Sequence, residues 1–366
     1  MANIVNATLN LWIYTGDFGG KDADNPDYII YKEKKVNEDI IVFEIGELVR
    51  DYTEVLFTGD YDSIQQSAWA EWQMIRTYDD DTVDDTLVGS AIAFNGYGYF
   101  EDGINPQLSN DVLISNTTIF HNCNSATEKI HIPLLTGSGG ATEVTYLDEY
   151  DVVIRRETVT KETITKITAD TTDYTADITS LTADTYYLKT VSSEVTEEIE
   201  VPENTSTIEI LLADGTVKTL YIRCIDCSKY DPYKVSFLNK FGVVQDLWFD
   251  KKRTDNLDVA KDSYKRNILD ISSTSVNYSL NKASMNPHNV IGNKRLILNT
   301  GFVTEDHNEV IQQLMLTESA WIHEEGLVKP IVPKTTSFTD KTEVNDKLIN
   351  FTVEFDYAFD TINNIR

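Results

Sequence analysis

Three groups of residues in this chain have types and spacings from which chemistry is commonly built. Cys224-Ile225-Asp226-Cys227 sets two thiols three residues apart, as in a redox pair or half of a zinc site. A redox pair normally opens a helix, and structural zinc needs two further ligands. Here the motif closes an expected hairpin strand, and Cys123 with His121 or His131 would complete a tetrahedral set only through long-range folding. Cys224 and Cys227 therefore read as reduced structural thiols and not as a metal site. The acidic run from Asp79 to Asp85 offers hard oxygen donors suited to calcium. It lacks the spacing and central glycine of an EF-hand loop, and reads as a solvated acidic loop. Thr136-Gly137-Ser138-Gly139-Gly140 lacks the lysine of a phosphate loop and reads as a turn.

A serine or cysteine nucleophile needs a base and an orienting partner, and none of the five histidines lies in a recognisable local motif. Acid pairs for glycoside hydrolysis reveal themselves only by spatial separation, so an excess of carboxylates keeps that enzyme class as an alternative. No catalytic, cofactor-binding or metal-binding residue is assigned, and the chain reads as a non-enzyme that needs no cofactor. Trp69, Trp72, Tyr97 and Tyr99 are the aromatic residues that would stack on sugar rings in a carbohydrate-binding module; at such spacing they read first as core.

Strands must position these groups. The apolar residues are skewed toward Tyr, Phe, Ile and Val, with abundant Thr, the set that favours pleated structure. Alternating or aromatic runs at Thr8–Tyr14, Tyr28–Tyr31 and Ser67–Thr77 predict strands, and Glu44–Tyr52 predicts a short helix or turn. Ala93–Phe100 is broken by glycines in a way that predicts a bulge or a close backbone approach. Asp214-Gly215 between two apolar runs predicts a hairpin, and Tyr233–Phe249 predicts two strands meeting at Asn239-Lys240-Phe241-Gly242. Val310, Ile311, Leu314 and Met315 form a helical stripe after a plausible N-cap at Thr304-Glu305-Asp306, and Phe351–Phe359 alternates as a half-buried strand. Between them, Ile167-Thr168-Ala169-Asp170, Tyr174-Thr175-Ala176-Asp177 and Leu181-Thr182-Ala183-Asp184 recur every seven residues. Heptad spacing suits a helix, whereas Thr and Asp disfavour one, and we read strands joined by similar turns.

At 366 residues the chain exceeds one ordinary core. The expected fold is mainly β, multidomain, with β-sandwich-like units and one main helix near the C-terminus. The expected division is an N-terminal β-sandwich-like domain over 1–150, a Thr-rich β segment over 151–194, and a C-terminal β-rich domain over 195–366 with a helix at about 305–318. A net charge of −29, from 60 acidic and 31 basic residues, excludes tight nucleic-acid binding, which depends on Lys and Arg. The same charge suits a solvated surface or a repulsive wall lining a conduit for DNA. No apolar run approaches the roughly 20 residues that span a bilayer, and Met1–Asn6 lacks the basic start of a signal peptide. We expect no membrane insertion, and three cysteines fit a reducing compartment.

The wording of Lys229–Phe249, of Asn299-Thr300-Gly301-Phe302-Val303 and of Val310–Ser319, with Phe94–Gly103 and the Arg50-Asp51-Tyr52 corner, resembles virion structural proteins of tailed phages, particularly crAss-like and related marine phages of Bacteroidetes hosts. These are framework motifs and carry over no catalytic residue. The resemblance implies a neck or tail subunit, synthesised in the host cytoplasm and located in the virion. It also implies partners: copies of itself in a symmetric ring, and other neck or tail proteins. The alternatives are a host-surface carbohydrate-binding tail module and a polysaccharide-degrading tail enzyme.

Overall fold

A computed structural model of the chain describes residues 3–15, 19–35, 40–59, 61, 66–103, 111–122, 130–136, 142–159, 187–191, 204–212, 214–225, 229–271, 275–341 and 349–361. Its strands begin with β1 (Ile4–Tyr14), β2 (Tyr28–Glu33), β3 (Ser67–Tyr78), β4 (Val83–Phe94), β5 (Asp111–Val112), β6 (Thr118–His121) and β7 (Ile132–Thr136). They continue with β8 (Thr142–Leu147), β9 (Val153–Val159), β10 (Tyr187–Val191), β11 (Thr207–Leu211), β12 (Val217–Cys224), β13 (Tyr233–Leu238) and β14 (Val244–Phe249). The last are β15 (Thr254–Lys265), β16 (Leu269–Ile271), β17 (Val276–Tyr278), β18 (Met285–Asn299), β19 (Ala320–Glu324), β20 (Leu327–Pro333) and β21 (Thr352–Tyr357). Helix α1 spans Gly46–Arg50 and α2 spans His307–Leu316. The protein is mainly β, and α2 is its main helix, near the C-terminus, as the Val310, Ile311, Leu314 stripe predicts. No helix among the described residues is long and apolar enough to cross a membrane.

The chain divides into two compact units, residues 1–225 with 237–246, and residues 226–236 with 247–366. In the first, β2-β1-β3-β4 form an antiparallel sheet. Leu11, Ile13, Ala68 and Ala70 lie on one of its faces, and α1 closes that face with Val49. A second core is a β-sandwich. Val112, Ile132 and Leu134 of the β10-β7-β5 sheet pack with Val144, Tyr146, Ile208, Ile210, Leu220 and Ile222 of the β6-β12-β11-β8-β9 sheet.

This core explains why the division does not follow the one read from composition. β8 pairs with β11, joining Val144 to Ile210 and Tyr146 to Ile208 across the whole threonine-rich stretch. A boundary near residue 150 would split that sheet. Likewise the expected C-terminal domain over 195–366 does not hold together as one unit, because β11 and β12 pair with β8 and β6 while β13 and β14 belong to a different sheet. The heptad-spaced threonine repeat, 167–184, lies outside the described residues.

In the second unit the sheet order is β14-β13-β19-β20-β21-β18-β15. β21 follows its alternation in burying Val353, Phe355 and Tyr357 and exposing Thr352, but Asp356 is buried as well, paired with Arg295 and Lys334, and Phe359 beyond the strand is exposed. Phe355 meets Phe249 edge to face at 5.9 Å. Helix α2 buries Val310, Ile311 and Leu314, but its entry differs from the expected side-chain cap. The first N–H groups are taken by backbone, His307 by the Thr304 carbonyl and Asn308 by that of Glu305.

The Asn239–Gly242 turn is the most heavily wired part of the first unit. Asn239 is 1% exposed. Its amide donates to the Leu113 carbonyl at 2.7 Å and to Gln245 Oε1 at 3.0 Å, while Oδ1 accepts the Phe241 N–H at 3.0 Å. Gln245 in turn donates to Asn116 Oδ1 at 2.9 Å, and Gln66 Oε1 accepts the Val244 N–H at 2.7 Å. Gly242 has φ +76°, and a Cβ there would stand 2.6 Å from the Asn95 carbonyl carbon. At Gly96 a Cβ would stand 2.6 Å from the Lys240 carbonyl oxygen. The glycine-broken run after β4 is thus a close backbone approach, secured by the Tyr97 N–H donating to the Lys240 carbonyl at 2.8 Å.

Asn239→Leu keeps the branched shape of the side chain and deletes its bonds to Leu113, Gln245 and Phe241, leaving a carbonyl, an amide oxygen and an N–H without those partners. At about 1–3 kcal/mol for each such group, we expect a loss of roughly 3 kcal/mol or more in denaturant unfolding. A midpoint equal to the parent's would show that the turn does not depend on this side chain.

Candidate functional site

The residues singled out for chemistry are mostly brought into structural roles. Cys224 ends β12 and is disulfide-bonded. This corrects the reading of a reduced thiol: the strand end presents the sulfur to another cysteine, and both remaining cysteines, Cys123 and Cys227, lie outside the described residues. Among the described residues no group of three or more His, Cys, Asp or Glu side chains is arranged to hold a metal ion.

The acidic run is a tight hairpin turn and not an open loop, since β4 already begins at Val83. Asp79 accepts from the Asn3 N–H and amide at 3.0 and 3.2 Å, and Asp80 accepts from the Thr82 N–H at 3.1 Å. Asp84 binds the Thr86 hydroxyl and N–H and the Arg76 guanidinium, and its pKa falls to about 2, chiefly through the Thr86 hydroxyl. These carboxylates are spent on local turn geometry and do not converge on one point.

The aromatic residues do not make one sugar-stacking platform. Trp69 and Trp72 lie an odd number of positions apart on β3 and so face opposite sides of the sheet. Trp69 is 4% exposed. Trp72 stands over its cross-strand partner Gly89, where a Cβ would come within 2.5 Å of the indole. Tyr97 and Tyr99 pack edge to face at 5.9 Å, with the Lys240 ammonium 5.7 Å from the Tyr99 ring.

Two histidine clusters that no local motif announced appear only in space. In the first unit, Tyr61 donates its hydroxyl to both Asp246 carboxylate oxygens at 2.7 and 2.8 Å, and His131 Nδ1 lies 3.3 Å from the same carboxylate. The Tyr61 and His131 rings stack at 3.5 Å. Asp246 thus fixes the orientation of both rings. In the second unit, Ser236 Oγ and His323 Nε2 are 2.7 Å apart on the neighbouring strands β13 and β19, the spacing of a nucleophile and its base. Ser236 is 0% exposed, so no substrate carbonyl reaches its Oγ. We expect a serine-directed fluorophosphonate to leave the folded protein unlabelled. Labelling that disappears in Ser236→Ala would reveal an accessible nucleophile.

The described cavity in the second unit has a volume of about 520 Å³ and lies beside the start of β15, lined by Arg253, Asp255, Lys294, Glu324, Lys329 and Tyr357 among others. Arg253 is its hub. The guanidinium binds Asp255 through Nε at 2.8 Å, donates to Tyr357 at 3.1 Å, contacts Glu324, and lies 5.0 Å from the Tyr233 ring centre. Burial alone would push the Glu324 carboxyl up. Donors from Lys329 at 2.7 Å, Arg253 and Tyr357 at 2.9 Å outweigh it and hold the pKa at about 2. Burial also pushes the Tyr357 hydroxyl up to about 12. Glu324 is therefore ionised at neutral pH and cannot serve as the proton donor that glycoside hydrolysis requires.

From this hub β15 and β18 run out as a long two-stranded arm. Their pairing extends from Thr254 with Ile297 to Lys265 with Met285, and all twelve residues of β15 are exposed. β18 reaches β21 only over Arg295–Asn299. Beyond that stretch Thr361 packs beside Gly292 and donates its N–H to the Gly292 carbonyl at 2.8 Å, and among the described residues no third strand pairs with the outer part of the arm. Exposure on both faces is a property of the folded chain and not of the strand's own residues.

No family model, curated protein or solved structure matches this chain.

Because Glu324 has a lowered folded pKa, its stabilising contribution is complete above the unfolded glutamate value and is lost as pH falls toward about 2. Glu324→Gln should therefore lower the thermal midpoint at pH 7, and the gap to the parent should close in acid below about pH 3. A gap that stays constant with pH would mean that the carboxylate charge contributes nothing.

Proposed function

We propose that the chain is a non-enzymatic structural subunit of a tailed-phage virion, built into a neck or tail ring through contacts between its β-domains. One observation carries this reading. The β15–β18 arm exposes both faces of a twelve-residue strand, none of whose residues is buried within the subunit. An isolated two-stranded hairpin is marginal in water, so an arm of this length suits a protein completed by a neighbour. Identical subunits joined head to tail close into rings when the rotation closes.

The residues behind the phage resemblance agree with a framework role. Asn239 and Asn299 each accept a backbone N–H two residues on, from Phe241 at 3.0 Å and Gly301 at 2.9 Å, and each turn is closed by a glycine at positive φ. These motifs build turns and place no reactive group. Localisation in the virion, and neck or tail proteins as neighbours, belong to the same proposal.

Light scattering and electron microscopy of the purified chain test it. Closed rings of many copies are expected. A monomer at every accessible concentration would overturn the ring reading, and hydrolysis of a host polysaccharide by that monomer would establish the enzyme alternative.

A further inference from the structure

The two faces of the β15–β18 arm differ in charge. Residues opposite each other in an antiparallel pair project to the same side, and the register pairs Leu257 with Lys294, Val259 with Gly292, Lys261 with Val290 and Lys265 with Met285. The irregularity between Lys261 and Asp262 falls at Asn289, which adopts φ +48° on β18, so alternation along β15 is unbroken. One face therefore carries Leu257, Val259 and Met285, which are 56%, 47% and 56% exposed, together with Lys261, Lys265 and Lys294. These three lysines have no ion-pair partner among the described residues. The other face carries Asp258 and Asp262, whereas Asp255, at the root, shares the first face and lines the cavity beside Leu257 and Lys294. Asp258 is paired with Arg295 at 3.0 Å and Asp262 accepts from Asn289 at 2.9 Å, next to Tyr264 and His288 in edge-to-face contact at 5.6 Å.

Charge also separates the arm from the rest of the protein. Residues 257–293 hold four basic side chains (Lys261, Lys265, Arg266, Lys282) and three acidic ones (Asp258, Asp262, Asp270), a net +1, which leaves −30 on the remainder of a chain whose total is −29. Lysines interleaved with exposed apolar residues complement a surface that is acidic and partly apolar, and this protein is itself such a surface. Three lysines among aliphatic side chains make a poor track for a nucleic-acid backbone, because burying Leu257, Val259 and Met285 against phosphate gains nothing.

We propose that the Leu257, Val259, Lys261, Lys265 and Met285 face of the arm docks onto the acidic surface of a second copy of this chain and is the joint between neighbouring subunits. The proposal rests on the ring-subunit reading and adds to it the element, the face and the sign of charge that make the contact. Unpaired ammonium groups meeting carboxylates across the joint make association salt-dependent, and the apolar residues between them supply contact that salt does not screen.

The test compares the full chain with a Lys261→Glu, Lys265→Glu double variant and a control, Asp262→Lys, on the opposite face. Assembly is read by light scattering and electron microscopy at low and moderate salt, with circular dichroism to verify folding. We expect the double variant to associate at least tenfold more weakly than the parent while keeping its thermal midpoint, and the control to assemble as the parent does. A photo-crosslinker at Val259 should yield a product of two copies, with both crosslinked peptides from this chain. If the parent assembles and the double variant assembles equally well, the arm face is not the joint and the inference falls while the ring reading stands. If the parent stays monomeric, both fall. Retention of duplex DNA by the parent at low salt, lost in the double variant, would assign the face to nucleic acid and overturn the inference.

Discussion

A single buried carboxamide, that of Asn239, is the constraint on which the tightly packed turn over Asn239–Gly242 and its neighbours depends. A turn of four residues in a protein interior must find partners for every N–H and C=O, because each orphan costs about as much as a whole hydrogen bond gains. Asn239 meets that demand locally by accepting the Phe241 N–H, and non-locally by donating to the Leu113 carbonyl and Gln245. Gln245 passes the link to Asn116. Polar groups this far from water tolerate little adjustment, so the network specifies one arrangement of the turn. The close approach of Gly96 and Gly242 follows from it, since two backbones can meet only where neither carries a Cβ.

The second unit has its own hub, of charge and not of amides. Arg253 stands where β15 begins and gathers Asp255, Glu324 and Tyr357 around one guanidinium. Desolvating such a group is costly, and the planar fork is satisfied only when its partners are already fixed by neighbouring strands. A second ion-pair group lies further along, where Arg295 reaches Asp258 at 3.0 Å and Asp356 at 3.2 Å. Between them these two arginines tie the root of the arm to β19 and β21. The arm leaves the sheet from a rigid base even though its outer length is solvated.

Burial separates what this protein can do from what it only resembles doing. Ser236 with His323, and Asp246 with His131 and Tyr61, have distances found in hydrolase sites. Ser236 is fully buried, and Asp246 is taken up by the Tyr61 hydroxyl and His131, so both sets act as structural bracing. On the arm, by contrast, Leu257 and Val259 are exposed beside Lys261 and Lys265.

Local pattern carried the strands. Alternation and turn chemistry marked β1, β3, the β11–β12 and β13–β14 hairpins and β21, because side-chain period and turn residues are set by neighbours in the chain. The stripe of Val310, Ile311 and Leu314 likewise marked α2, and glycine at 96 marked a close approach without naming what approaches. The partners were beyond reach. Nothing adjacent to Val144 says that it will face Ile210, nothing near Ser236 points to His323, and nothing in Cys224 announces that it will be oxidised. Composition therefore suggested a boundary near residue 150 that the β8–β11 pairing crosses. The arm shows the same limit from the other side: Leu257 and Val259 are aliphatic residues that lie in solvent. By itself the sequence determined that the chain is acidic, strand-forming and turn-rich, since those are sums over single residues and near neighbours. Which strands share a sheet, which histidine meets which acid, and which apolar face is left for a partner were decided only by tertiary structure, because burial is a property of the assembled surface and not of any residue along the chain.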